Sequence, residues 1–111
     1  MLYNSWNFML TCRTYRLMEK TIYLINLFDI YGDLFTEKQK EYFIDYYFNN
    51  YTLQEISENN NVTRNAIHKS IKETEEKLLF YEKTLKIYEK NNKIKELIKE
   101  SDLKDKIEEI L

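Results

Sequence analysis

One glycine and no proline occur in the 111 residues of this chain. Folds built on strands lean on both residues: Gly for turns that need positive φ, Pro for preset turn positions. A chain that nearly lacks them reads as long helices joined by short polar breaks, an all-α protein. Its length is that of one small domain. Ten Tyr and six Phe, concentrated in the first half, supply large buried area per residue, so a short chain can still close a core. An aromatic excess can equally feed a subunit interface.

The helical pattern begins at Met18. Residues 1–17, "MLYNSWNFMLTCRTYRL", show no clear period and read as a dispensable extension, which an upstream start codon would explain; the rival reading is a real N-terminal arm. In "MEKTIYLINLFDIYGDL" apolar residues fall at 22, 25, 28 and 31, with 24, 27 and 30 also apolar, so most faces of a helix over 19–32 must be buried. Gly32 is the expected stop. Thr36 and Gln39 spell a capping box for a helix over 36–49. Phe43, Tyr46 and Tyr47 lie on its inner face with Phe35 from the preceding loop, and Asn49-Asn50 ends it.

The stretch "LQEISENNNVTRNAIHKSIK", Leu53 to Lys72, has the parts of a helix-turn-helix: a short helix, a tight turn and a second helix with one wet face. Thr52 and Glu55 spell a second capping box, and Leu53 and Ile56 point inward. Asn61 tolerates the left-handed turn conformation, Val62 is expected to plug the corner, and Thr63 caps the next helix. In that helix Ile67 and Ile71 face the core. Arg64, Asn65, His68, Lys69 and Lys72 then form one exposed stripe. Arg can fork onto guanine and Asn can pair with adenine, while Lys and the Thr63 hydroxyl can hold phosphate. The other reading is purely structural, since Glu73, Glu75 and Glu76 follow at once and weaken the local field. The whole chain carries a net charge of −2, which is not the footprint of a general nucleic-acid binder.

From Thr63 to about residue 91 there is no helix breaker, so the last helix is expected to run roughly 40 Å. Ile71, Thr74, Leu78, Tyr81, Leu85 and Tyr88 step along it by three and four, a heptad seam. A break is expected near Asn91-Asn92. Beyond it, residues 93–111 form an amphipathic tail with Ile94, Leu97, Ile98, Leu103, Ile107, Ile110 and Leu111 apolar and Ser101 as a cap. Eight basic and eight acidic residues are interspersed from Tyr81 to Leu111, a solvated surface rather than a binding patch. The organisation expected is an extension over 1–17, a helix-turn-helix domain with its long helix over 18–92, and the tail.

Enzymatic chemistry finds no footing. No paired acid and base, Gly-rich phosphate loop or ligand cluster is spelled out. Cys12 and His68 are single and far apart, so neither a metal site nor a Cys–His pair is expected, and no cofactor is implied. A lone thiol excludes a disulfide framework within the chain and suits a reducing cytosol. No apolar run reaches the ~18 residues of a membrane span, so no membrane insertion is expected.

The segment "DLFTEKQKEYFIDYYFNNYTLQEISENNNVTRNAIHKSIKETEEKLLFYEKTLKIY" resembles the YlxM family of small bacterial helix-turn-helix proteins. The likeness runs from Met18 to about Tyr88. It rests on Leu34, Thr36, Lys38, Gln39, Tyr46-Tyr47, Leu53, Glu55, Ile56, Thr63-Arg64, Ala66-Ile67, Ile71-Lys72, Leu78, Tyr81-Glu82 and Leu85. The resemblance implies an all-helical cytosolic protein whose helix-turn-helix is similar to region 4 of bacterial sigma factors. It also implies a link to the signal recognition particle pathway, because such genes lie beside those of its protein components. Two residues depart from the family pattern: Asn61 stands in place of the usual turn Gly, and Lys69 stands near a usual acidic position. The reading reached is a DNA-binding regulator; the alternative is a secretion-pathway adaptor that binds protein or RNA and uses the motif structurally.

Assembly follows from the same apolar surplus. Ile22, Tyr23, Leu24, Ile25, Leu27, Phe28, Ile30 and Tyr31 leave the first helix apolar on more than one face. A homodimer is expected, joined by the seam residues Ile71, Leu78, Tyr81, Leu85 and Tyr88, by the first helix, or by both. The alternative is an intramolecular bundle in which the tail covers the seam.

Overall fold

A computed structural model describes residues 5–99 and 108–110, with side chains from Met18 onward. Among the described residues there is no strand. The elements are α1 (Ser5–Tyr31), a 3-10 turn (Gly32–Leu34), α2 (Glu37–Tyr47), α3 (Leu53–Asn60), α4 (Arg64–Leu85) and α5 (Ile87–Leu97). Among these residues, no helix is long and apolar enough to cross a membrane.

The core follows the expected periodicity. Leu24, Leu27 and Tyr31, one stripe of α1, bury themselves with Phe35, Phe43 and Leu78. The Phe28 ring stacks on Phe43 with centroids 4.3 Å apart, and Phe43 in turn lies 4.5 Å from Tyr47. A second cluster, Ile56, Ile67 and Ile71, sits beneath the helix-turn-helix, with Leu53, Tyr42 and Tyr47 packed on it. Tyr47 touches both clusters, so the aromatic helix α2 joins the motif to the α1 core. Met18 and Ile22, on the opposite side of α1, remain more than half exposed.

Three local expectations need correction. The first helix begins at Ser5, well before Met18. Extending a nucleated helix gains one hydrogen bond per residue fixed, and no breaker interrupts 5–31, so regular amphipathicity is not required. Gly32 ends α1 as expected, and does so without positive φ. The chain tightens into a 3-10 turn closed by the Phe35 amide on the Gly32 carbonyl at 3.1 Å. Val62 does not plug the corner: it is 39% exposed.

The third correction concerns the long helix. It stops at Leu85, not near Asn91, and α5 runs straight through Asn91-Asn92. Lys86 turns the chain in the left-handed region, at φ 55° and ψ 33°. The cause lies outside the segment. Tyr31 Oη donates to Glu82 Oε1 at 2.7 Å and accepts from the Ile87 amide at 3.2 Å. Glu82 accepts the Tyr88 amide at 3.0 Å and the Glu89 amide at 3.1 Å. One buried carboxylate thus covers orphan amides in the first turn of α5, where the field of a helix N-terminus favours negative charge. The Tyr88 ring then meets Tyr23 edge-on at 5.5 Å, and its hydroxyl accepts from Asn26 Nδ2 at 3.4 Å. Of the tail, Leu97 is 84% exposed, while Ser101, Leu103, Ile107 and Leu111 lie outside the described residues.

Candidate nucleic-acid interface

Local hydrogen bonding builds the motif. Thr36 Oγ1 accepts the Gln39 amide at 3.2 Å and Gln39 Oε1 accepts the Thr36 amide at 3.0 Å, a complete capping box. At α3 only half forms: Thr52 Oγ1 accepts the Glu55 amide at 3.1 Å, without the return bond from Glu55. Asn61 takes the left-handed conformation, φ 54° and ψ 41°, and the Val62 amide reaches the Ser57 carbonyl at 3.1 Å. Thr63 Oγ1 accepts the Ala66 amide at 3.1 Å and so caps α4. Asn60, where such motifs commonly carry an apolar side chain, is satisfied by its own helix. Its Nδ2 donates to the Ile56 carbonyl at 2.8 Å, and its Oδ1 accepts from Lys38 Nζ at 3.4 Å.

The first turns of α4 have two faces. Ile67 is fully buried and Ile71 nearly so. Thr63, Arg64, Asn65, His68, Lys69 and Lys72 are all exposed, so the fold brings the six candidate residues onto one wet surface around the N-terminus of α4. Capping uses one lone pair of the Thr63 hydroxyl; its proton can still be donated.

The six are not equivalent electrostatically. Lys72 Nζ lies 3.6 Å from Glu75 Oε2, so its charge is partly answered within the chain. Glu75 also accepts from Tyr47 Oη across the α2–α4 contact. Burial, then the hydrogen bond and charge of Glu75, raise the Tyr47 phenol well above its usual range. Burial and the bond to Glu82 raise Tyr31 in the same sense. Among the described residues, Arg64 and Lys69 have no such acidic partner. Glu55 and Glu58 on α3 and Glu73 and Glu76 on α4 are exposed as well, so the motif's surface carries negative charge beside the basic residues 64–72.

The seam residues have a different fate. Ile71 and Leu78 are buried within the chain itself. Tyr81 is half-buried, with its ring 5.9 Å from Tyr31 and 5.8 Å from Phe35. Tyr88 lies beyond the break, against Tyr23. Leu85 is 44% exposed. Sequence reasoning missed Glu75 and Glu82, the two buried carboxylates. A signal was present: each sits four residues after a buried member of the seam, Ile71 and Leu78, and so on the inner face of the helix. Every buried side-chain nitrogen and oxygen among the described residues has a partner.

Fold and surface together define an all-helical protein whose central device is a helix-turn-helix. A family model described as "Putative helix-turn-helix protein, YlxM / p13 like" (UPF0122) matches residues 18–110, and the chain belongs to that family. A UPF0122 protein of Malacoplasma penetrans is 46% identical over 84 residues, covering 73% of this chain and 78% of the relative. One from Fusobacterium nucleatum is 42% identical over 98 residues, covering 86% and 95%. One from Clostridium acetobutylicum is 45% identical over 97 residues, covering 83% and 84%.

Proposed function

We propose that this chain is a cytosolic DNA-binding regulatory protein that sets the start of α4 into the major groove. The observation that carries the reading is the two-faced α4: Ile67 and Ile71 anchor its inner side while Arg64, Asn65, His68 and Lys69 stand together in solvent. Arg64 and Asn65 have the chemistry to read base edges, and Thr63, Lys69 and Lys72 to hold phosphates. The test is binding to duplex fragments from the protein's own operon at two salt concentrations. Affinity should fall steeply with salt, and salt-independent binding would exclude phosphate contact.

A homodimer belongs to this proposal, because two copies of α4 at a fixed spacing suit a palindromic site. Since the chain covers Ile71 and Leu78 itself, the second copy would meet the exposed apolar residues that remain, Leu79, Phe80 or Leu85 on α4 or Met18 and Ile22 on α1. Sedimentation equilibrium at micromolar concentration should give twice 13.7 kDa; the monomer mass would refute it.

The exposed acidic residues around the stripe favour a second reading, a secretion-pathway adaptor that contacts a component of the signal recognition particle and uses the motif to hold the bundle. Pull-down of the particle with and without nuclease tests it: capture supports the adaptor, by a protein contact if it survives nuclease and by an RNA contact if it does not, and no capture counts against it.

A further inference from the structure

Nothing in the local sequence asks the chain to turn at residue 86. From Thr63 to Leu97 there is neither Gly nor Pro, and the seam spacing runs across the turn from Leu85 to Tyr88. Among the described residues, the two other left-handed ones are Asn50 and Asn61, a type that tolerates this conformation; Lys86 is not. The bend is held by Tyr31 and Glu82, which between them bind the amides of Ile87, Tyr88 and Glu89. In an uninterrupted helix the same three amides would find the carbonyls of Lys83, Thr84 and Leu85. Two arrangements thus satisfy one set of donors, the property a bistable element needs. Little packing opposes the change: α5 buries no residue fully, and its main contact is Tyr88 on Tyr23 and Asn26.

We propose that Lys86 is a hinge and the Tyr31–Glu82 pair its latch, so that α5 exchanges between a strap folded against α1 and a straight continuation of α4. The strap covers the Tyr23 and Asn26 face of α1; release uncovers it. In the bent form Leu79 and Glu96 line one cleft. On one continuous helix they stand about 26 Å apart.

The experiment uses the full chain with Cys12→Ser, spin labels at Leu79→Cys and Glu96→Cys, and distances from pulsed electron resonance. Lys86 is exposed, so changes there leave the core intact. Lys86→Gly removes the left-handed penalty and should leave only the short distance. Lys86→Val raises that penalty. Combined with Tyr31→Phe, it should populate a sharp peak near 26 Å at least roughly tenfold more than Lys86→Gly with Tyr31→Phe. A single short distance in the Val variant, or identical distributions in the two, overturns the hinge. So does a broad long distance with lost helical circular dichroism, which would mean that α5 unravels rather than straightens.

Discussion

Replacing Ile67 by Ala tests what holds the candidate reading helix in place. The side chain is fully buried against Ile56 and Ile71, with Leu53, Tyr42 and Tyr47 around it. Truncation loses the transfer energy of the removed methyl and methylene groups and leaves a cavity, together about 2–5 kcal/mol for an Ile in a close-packed site. The residues lining the cavity come from α2, α3 and α4, so no single helix can move to fill it without disturbing another. Taking ~3 kcal/mol and roughly 4–8 °C per kcal/mol for a small domain, Tm should fall by about 10–25 °C. Val62→Ala is the control. Val62 sits two residues from the α4 start but is 39% exposed, so its truncation should cost less than ~1 kcal/mol. Thermal and urea unfolding followed at 222 nm measure both. Equal losses in the two variants would refute the claim that the Ile56–Ile67–Ile71 cluster, rather than the turn, anchors α4.

Other outcomes follow from single contacts. Lys69→Ala should weaken nucleic-acid binding more than Lys72→Ala, because Lys72 already answers Glu75 at 3.6 Å; equal losses by fluorescence anisotropy would contradict this. Tyr31 and Tyr47 have phenols raised above their ordinary value of 10.0, so their contribution to stability is complete below that pH and is lost as pH rises through their folded values. Denaturant midpoints should therefore hold up to about pH 10 and fall beyond it; Tyr47→Phe should flatten part of that fall. Deleting residues 1–17 should leave Tm nearly unchanged, since the apolar periodicity of the first helix begins at Met18; loss of cooperative unfolding would show that the segment docks on the core.

What the sequence made legible was local. Thr36 with Gln39, Thr52, Asn61 and Thr63 act within four residues of themselves, so their caps and turn could be read from spacing, and they place the motif correctly. Ile67 and Ile71 were legible because one helical stripe has one inner face. The break at Lys86 was not, because its causes lie 56 residues away in the pairing of Tyr31 with Ile87 and in a carboxylate whose burial depends on packing. The same holds for the seam: a 3,4 spacing announces an apolar face but not which helix covers it, and here α2 and α3 cover Ile71 while α1 meets Leu78, Tyr81 and Tyr88. Val62 failed for a related reason. A turn residue's burial depends on what passes beneath it, and Val62 joins neither buried cluster. The exposed stripe was legible as a surface; its ligand is chemistry that binding must decide.

The most direct test of the central claim is the salt dependence of binding in the double variant Arg64→Ala, Lys69→Ala, with the protein's own operon fragment as probe. Each lost phosphate contact lowers the slope of log affinity against log salt by about one unit. Both side chains are exposed, so the variant should keep the wild-type Tm. The account predicts a folded protein with weakened affinity and a slope shallower by about one to two units. Unchanged affinity and slope in a folded double variant would contradict it and remove the start of α4 from the interface.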